Sequence, residues 1–283
     1  MQILSIQSSV AFGHVGNSAA VFPLQRLGHE VWPVNTVHFS NHTGYGAWRG
    51  PLLDPADVRE VITGIGERGA LAGVDAVLSG YQGDPAVGAV ILEAVAAVRA
   101  VNPGATYCCD PVMGDVGRGM FVKPGIPEFM RDTVVPQADV LTPNHFELDF
   151  LAGGSTSTLD EVLDAIDEVR DRGPRDVLVT SVLHEGSEAD SLDVVAVSDT
   201  GAWVVTTPLL PIAPNGCGDV TAALYLAHLR TTGSPALALE RTTATVFAIL
   251  EQTLDAGTRE IQLVAAQDAI AEPPHAFAAR QLR

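Results

Sequence analysis

Short apolar segments rich in β-branched residues alternate with longer segments of helical period along almost the whole chain. That alternation limits the fold more than any other feature. Ile3 to Gln7, His29 to Asn35, Asp75 to Ser79, Ala105 to Cys109, Asp139 to Leu141 and Asp176 to Thr180 read as strands. Ser18 to Leu27, Pro85 to Val101, Pro124 to Thr133, His145 to Leu151 and Leu159 to Arg172 read as the helices among them. Leu192 to Val197 and Ala202 to Thr206 read as an antiparallel pair turning at Asp199-Thr200-Gly201, and Gly216 to Leu229, Ala236 to Leu250 and Val264 to Ala271 as closing helices. Helices of this length between strands imply βαβ units, so the expectation is a three-layer α/β/α fold. Its central sheet is mostly parallel, with a small antiparallel excursion. Without linker, repeat or low-complexity stretch, residues 1–283 read as a single domain.

Charge and lysine content restrict the chemistry. Sixteen basic against thirty-four acidic residues give −18, which repels nucleic acid, anionic membranes and also ATP. Lys123 is the single lysine, in a loop entering a helix, so no Gly-Lys-Ser/Thr phosphate loop exists. Three cysteines without a Cys-x-x-Cys fit a reducing cytoplasm better than a disulfide framework. Cys108 and Cys109 are adjacent, so on a strand they face opposite ways. No apolar run suits a membrane span, and the N-terminus lacks a basic leader.

Open α/β sheets bind ligands beyond the carboxyl ends of their strands. Ser8, Gly80-Tyr81, Asp110-Pro111-Val112-Met113-Gly114-Asp115, Thr142-Pro143-Asn144-His145-Phe146-Glu147 and Ser181 follow successive strands. The run Thr36 to Pro51 is too polar for core and too patterned for a linker, so it reads as a binding loop or small lid. Pro214-Asn215-Gly216-Cys217-Gly218-Asp219 opens a helix. Two glycines around a small residue expose backbone amides at a positive helix end, which suits an anionic phosphoryl group. An aspartate there can take a proton from a hydroxyl, and it can equally cap the helix.

Gly-x-Gly-Asp opening a late helix resembles the ribokinase superfamily. Ile6-Gln7-Ser8, Gly13-His14-x-Gly16-Asn17-Ser18-Ala19-Ala20, Trp32-Pro33-Val34-Asn35-Thr36-Val37-x-Phe39-Ser40-Asn41-His42-Thr43, Leu78-Ser79-Gly80-Tyr81 and Cys109-Asp110-Pro111-Val112-Met113-Gly114 look like the pyridoxal kinases. The likeness runs from residue 3 to about 275. It implies a cytoplasmic, homodimeric, ATP-dependent kinase that makes pyridoxal 5′-phosphate in vitamin B6 salvage. It also implies Mg²⁺ with ATP, and K⁺ as a candidate second ion. By that resemblance Asp219 is the base, and the amides of Gly216, Cys217 and Gly218 form the anion hole. Ser8, Thr43 and Tyr81 contact pyridoxal. Asp110 and Glu147 arrange Mg²⁺ and the phosphates. Thr142, Thr180 and Ile212, Ala213, Pro214 and Asn215 fall where the family meets ATP.

Plainer roles stand beside these. Ser8 could cap a turn, and Tyr81 could be packed core. Asp110 could form an Asx turn before Pro111. Glu147 could be a structural carboxylate in a first helical turn. Cys217 sits where a helix end can lower a thiol pKa, or is simply small. His38 and His42 lack a third ligand for zinc. The sequence departs from the family where many members carry a basic residue and this chain has Thr180. The segment Pro211-Ile212-Ala213-Pro214 is also apolar, which implies weaker ATP binding or stronger dependence on Mg²⁺. The lid-like stretch Asp115 to Val122 holds Met120 and no cysteine, so covalent capture of an aldehyde is not expected there. Two other readings remain at this stage. One is a kinase of hydroxymethylpyrimidine or another hydroxymethyl heterocycle. The other is a vitamer- or nucleotide-binding protein without catalysis.

Overall fold

The computed structural model describes residues Met1 to Arg283. Its strands are β1 (Gln2–Val10), β2 (Glu30–Phe39), β3 (Ala76–Ser79), β4 (Thr106–Cys109), β5 (Gly114–Asp115), β6 (Gly119–Met120), β7 (Val140–Leu141), β8 (Asp176–Val182), β9 (Ser191–Ser198), β10 (Gly201–Pro208) and β11 (Arg280–Gln281). Its helices are α1 (Asn17–Arg26), α2 (Pro55–Glu67), α3 (Pro85–Val101), α4 (Ile126–Phe129), α5 (His145–Ala152), α6 (Leu159–Arg170), α7 (Cys217–Thr232), α8 (Pro235–Asp255) and α9 (Gln267–Ala271).

Nine strands form one sheet in the order β11-β10-β9-β8-β7-β4-β3-β1-β2. Neighbours from β8 across to β2 run parallel, and β9, β10 and β11 add antiparallel pairings. Side chains alternate between two cores, as a pleated strand requires. Leu4, Ile6 and Cys109 join the side covered by α2, α3, α5 and α6. Ile3 and Cys108 join the side covered by α1, α7 and α8. The adjacent cysteines therefore face opposite layers, and the fold is the expected three-layer α/β/α. No helix is long and apolar enough to cross a membrane.

Several expected boundaries move. β1 continues to Val10, so Ser8 lies within the strand and not after it. β2 continues to Phe39, so the loop begins at Ser40 and not at Thr36. Thr36, the polar residue at which the loop reading began, is satisfied at long range: its Oγ1 donates to the Tyr81 carbonyl at 3.0 Å. The expected helix from Pro124 breaks after Phe129 into a wider π turn and a tight 3₁₀ turn. The last helix spans only Gln267–Ala271. No helix was expected at Pro55–Glu67, although Asp54 caps it by accepting the Ala56 N–H and Val58 and Ile62 bury one face.

Candidate active site

The carboxyl ends of the parallel strands meet at one cavity of ≈ 110 Å³. Ser8 on β1, Thr43 in the loop after β2, Tyr81 after β3, and Asn215, Gly216 and Asp219 at the start of α7 all line it. Val10, Val15, Val37, Phe39, Val112 and Phe121 supply an apolar floor and sides. Such a slot suits a flat heterocycle, with a few polar groups to fix its orientation. A wider depression of ≈ 650 Å³ lies around Met1, His29 and Asp75, at the opposite ends of the strands, away from these groups.

Two glycines let the loops approach. Gly16 has φ 54°, and a Cβ there would lie 2.2 Å from the Ser8 carbonyl oxygen. Gly216 has φ 93°, and its Cβ would lie 2.0 Å from the His14 carbonyl oxygen. No larger residue fits either position. The N-terminal loop is thus clamped onto the glycine turn. Asp219 sits in the first turn of α7, half-buried in the cavity wall. Burial raises its carboxyl to about 6, partly offset by the backbone N–H groups of Gly16 and of Asp219 itself. A base with that value is ionised at neutral pH and still basic enough to be useful. Burial also pushes the Cys217 thiol up to about 12, with the Asp219 charge adding to the effect, so of its two readings the activated thiol is not found.

A second group of acids lies beside the glycine turn. Asp110 is buried, and a Cβ added at Gly218 would be 3.8 Å from its Oδ2. Burial, then the charges of Glu147 and Asp219, hold its carboxyl well above the ordinary range. The buried Thr142 hydroxyl lies beside it yet makes no hydrogen bond of good geometry. A buried carboxyl beside the glycine turn, with an unpartnered hydroxyl alongside, is an environment that a hard divalent cation and phosphate oxygens would complete. The residues present therefore fit Mg²⁺ held jointly by Asp110 and substrate phosphates, since no group of three or more His, Cys, Asp or Glu could hold a metal by itself.

Glu147 is engaged more heavily by the backbone than the sequence suggested. It completes a capping box with Asn144, accepting the Asn144 N–H at 2.9 Å while its own N–H donates to Asn144 Oδ1 at 2.9 Å. Its other oxygen accepts the N–H groups of Met113 at 2.8 Å and Gly114 at 3.3 Å. Burial pushes its carboxyl up to about 8, against the pull of these three donors. The bond to Met113 and Gly114 anchors the hairpin β5–β6, which carries Arg118 near its tip.

Thr180 is half-buried at a bulge of β8, bridged to Asn144, with its N–H donating to the Pro143 carbonyl at 3.0 Å. Ser181 beside it holds φ 56°, the one non-glycine with positive φ. Ile212, Ala213 and Pro214 lead into the glycine turn without lining the cavity, whereas Asn215 does line it.

Arg118 and Glu260 carry contacts that the sequence did not suggest. Arg118 lines the cavity and donates to Asn215 Oδ1 at 3.0 Å. Glu260 accepts from Tyr45 Oη at 2.7 Å, from the His14 N–H at 3.1 Å, and pairs with His42 Nε2 at 2.9 Å. Burial alone would raise Glu260, but these bonds overcome it and hold the carboxyl low. His42 thus belongs to this pair, and His38 lies exposed on β2. Both residues sit on long-range contacts that no local motif marks.

The chain matches the model of the family described as phosphomethylpyrimidine kinase over residues 73–264. It is 59% identical over 283 residues to the pyridoxal kinase PdxY of Rubrobacter xylanophilus, covering 100% of this chain and 98% of that one. It is 56% identical to the pyridoxal kinase PdxY of Leifsonia xyli, with 98% of each chain covered. Among solved structures, the pyridoxal kinase of Leishmania donovani in complex with ADP and pyridoxine superposes with a TM-score of 0.93 at 28% identity, over 100% of this chain and 99% of that one. That of Trypanosoma brucei gives 0.88 at 27% identity, over 99% of each.

Proposed function

The chain belongs to the phosphomethylpyrimidine kinase family and within it to the pyridoxal kinases, and from that premise we propose which residues perform the transfer. The protein is an ATP-dependent kinase that phosphorylates pyridoxal. Neither the pyrimidine-kinase reading nor the non-catalytic one gains support from its relatives.

The observation that carries the assignment is the single cavity joining Ser8, Thr43 and Tyr81 to Asp219 and the glycine turn. Pyridoxal lies on the apolar floor with its ring against Tyr81 and its polar substituents toward Ser8 and Thr43. Its hydroxymethyl group then faces Asp219, which takes the hydroxyl proton as the oxygen attacks phosphorus. The N–H groups of Gly216, Cys217 and Gly218 meet the negative charge on the phosphoryl oxygens, helped by the positive end of α7. Mg²⁺ bound with ATP supplies neutralisation of the phosphate charge beside Asp110 and Thr142. Glu147 acts by fixing Met113 and Gly114 at the base of the hairpin. Thr142, Thr180 and Ile212 to Asn215 form the nucleotide side, and K⁺ is the second ion implied.

The continuous nine-stranded sheet from β2 to β11 supports reading residues 1–283 as one kinase domain. Phe12, Trp48 and Leu52 are exposed near the edge strand β2 and offer an apolar face to a second copy, which supports a homodimer. Three unpaired cysteines support a cytoplasmic setting. The test is a panel of pyridoxal, pyridoxine, pyridoxamine and hydroxymethylpyrimidine with ATP, Mg²⁺ and K⁺. Pyridoxal should exceed the pyrimidine in kcat/KM by about tenfold or more. Equal or reversed preference would overturn the substrate assignment.

A further inference from the structure

Arg118 is the single basic side chain that, with Asp219, lines the cavity and is always charged. It stands near the tip of the hairpin β5–β6, between Gly117 at φ 77° and Gly119 at φ 67°. The hairpin base is fixed twice to the start of α5. Glu147 accepts from Met113 and Gly114, and Asn144 Nδ2 donates to the Gly114 carbonyl at 2.8 Å. The guanidinium packs 5.1 Å from the centre of the Phe121 ring and donates to Asn215 Oδ1 at 3.0 Å, next to the glycine turn. That partner is a neutral amide and Arg118 makes no ion pair, so the guanidinium keeps its charge free at the cavity that Asp219 also lines. In a chain of −18 with a neutral Thr180, this placement has a chemical consequence.

We propose that Arg118 is a catalytic cation of the transfer and the clamp for the product phosphate. The inference rests on the pyridoxal kinase reading above. As the hydroxymethyl oxygen forms its bond to the γ-phosphorus, the bond from phosphorus to the β–γ bridging oxygen breaks. The electron pair leaves with ADP, and the hydroxyl proton passes to Asp219. Charge spreads over the three non-bridging oxygens during this exchange. A planar guanidinium meets two such oxygens at once, which an ammonium cannot do. Pyridoxal itself carries no phosphate. The contact therefore strengthens toward the transition state and product, which raises turnover and leaves substrate binding nearly unchanged.

The test uses the full chain with Arg118→Gln and Arg118→Lys. Glutamine can keep a hydrogen bond to Asn215 without the charge, whereas lysine keeps the charge without the fork. Thermal melts establish that both variants are folded, and Arg118→Met replaces either one that is not. Arg118→Gln should lower kcat about 10²-fold or more while pyridoxal KM stays within about threefold. Affinity for pyridoxal 5′-phosphate should fall about tenfold, with pyridoxal affinity held. Arg118→Lys should recover about tenfold of the lost turnover. Turnover of Arg118→Gln within about threefold of wild type, or an equal loss of affinity for pyridoxal and its phosphate, overturns the proposal. A wild-type chain that makes no pyridoxal 5′-phosphate defeats the underlying reading instead.

Discussion

Glu147 Oε1 accepts the backbone N–H of Met113 at 2.8 Å, although the two residues are 34 positions apart. The same carboxylate accepts from Gly114 and Asn144, so one side chain joins the start of α5 to the base of the hairpin that carries Arg118. Glu147→Gln would turn an amide NH₂ toward one of these buried N–H groups. Leaving a buried donor without its acceptor costs about 1–3 kcal/mol, so the variant should lose roughly that much. Urea unfolding at neutral pH measures it as a lower midpoint at unchanged slope. A midpoint equal to wild type would show that the hairpin is anchored elsewhere.

Asp219, as the proposed base, should set the acid side of the activity profile. With its carboxyl raised to about 6, the base is lost by protonation below that pH. The rate kcat/KM should therefore fall about tenfold per pH unit below 6 and level off above it. Asp219→Asn should remove that limb and about 10²–10⁴ of kcat, with ADP binding by calorimetry nearly unchanged. A limb persisting in the variant would assign it to another group.

The same acids make stability depend on pH. Burial raises Asp219 from 3.8 to about 6, Asp176 from 3.8 to about 6 and Glu147 from 4.5 to about 8. For each, the folded chain holds its proton more tightly than the unfolded chain. Their contribution is present in full below the unfolded values and is lost as pH rises through the folded ones. From pH 5 to pH 8.5 the ligand-free protein should lose on the order of a few kcal/mol. Urea midpoints across that range test the sign. MgATP should raise the midpoint more at pH 8 than at pH 5, because the cation meets the ionised carboxylates.

Much of this arrangement was legible in the sequence, and the missed parts share a cause. Tyr81 follows a strand with a local apolar pattern, Gly216 to Asp219 form a local glycine motif at a helix start, and Thr43 was suggested only by the family resemblance. The strand through Thr36 to Phe39 was hidden because Thr36 finds its partner after β3, which no local pattern reveals. The structural side of Glu147 was foreseen as an alternative, and its Asn144 capping box is a local signal. Its bonds to Met113 and Gly114 are not local. Glu260 lies in a stretch without periodicity and acts only through residues more than two hundred positions away.

Glu260 fastens the loop that carries Thr43. Its bonds to Tyr45, His42 and the His14 N–H hold this loop and the N-terminal loop to the segment after α8, and Arg259 stacks 4.3 Å over the Tyr45 ring. Glu260→Ala releases all three. Such bonds are partly exposed here, so roughly 1.4 kcal/mol of ordering at the cavity should be lost, or about tenfold in pyridoxal KM. MgATP KM should stay within about twofold, since the contacts lie on the vitamer side. Steady-state titration of each substrate separates the outcomes, and equal rises in both constants would point to general unfolding.

Thr180 tests how the nucleotide is held. It stands at the carboxyl end of β8, bridged to the start of α5, where a basic side chain could reach phosphate. No lysine or arginine occupies Ile212 to Asn215 to compensate. Thr180→Lys places a cation there without disturbing the backbone bond to Pro143. A partly exposed charge near phosphate is worth about 1 kcal/mol, so MgATP KM should fall about fivefold at low ionic strength. That gain should shrink as salt shortens the Debye length to about 3 Å at 1 M. The pyridoxal KM should not move. An unchanged MgATP KM at low salt would place the phosphates away from Thr180 and remove it from the nucleotide site.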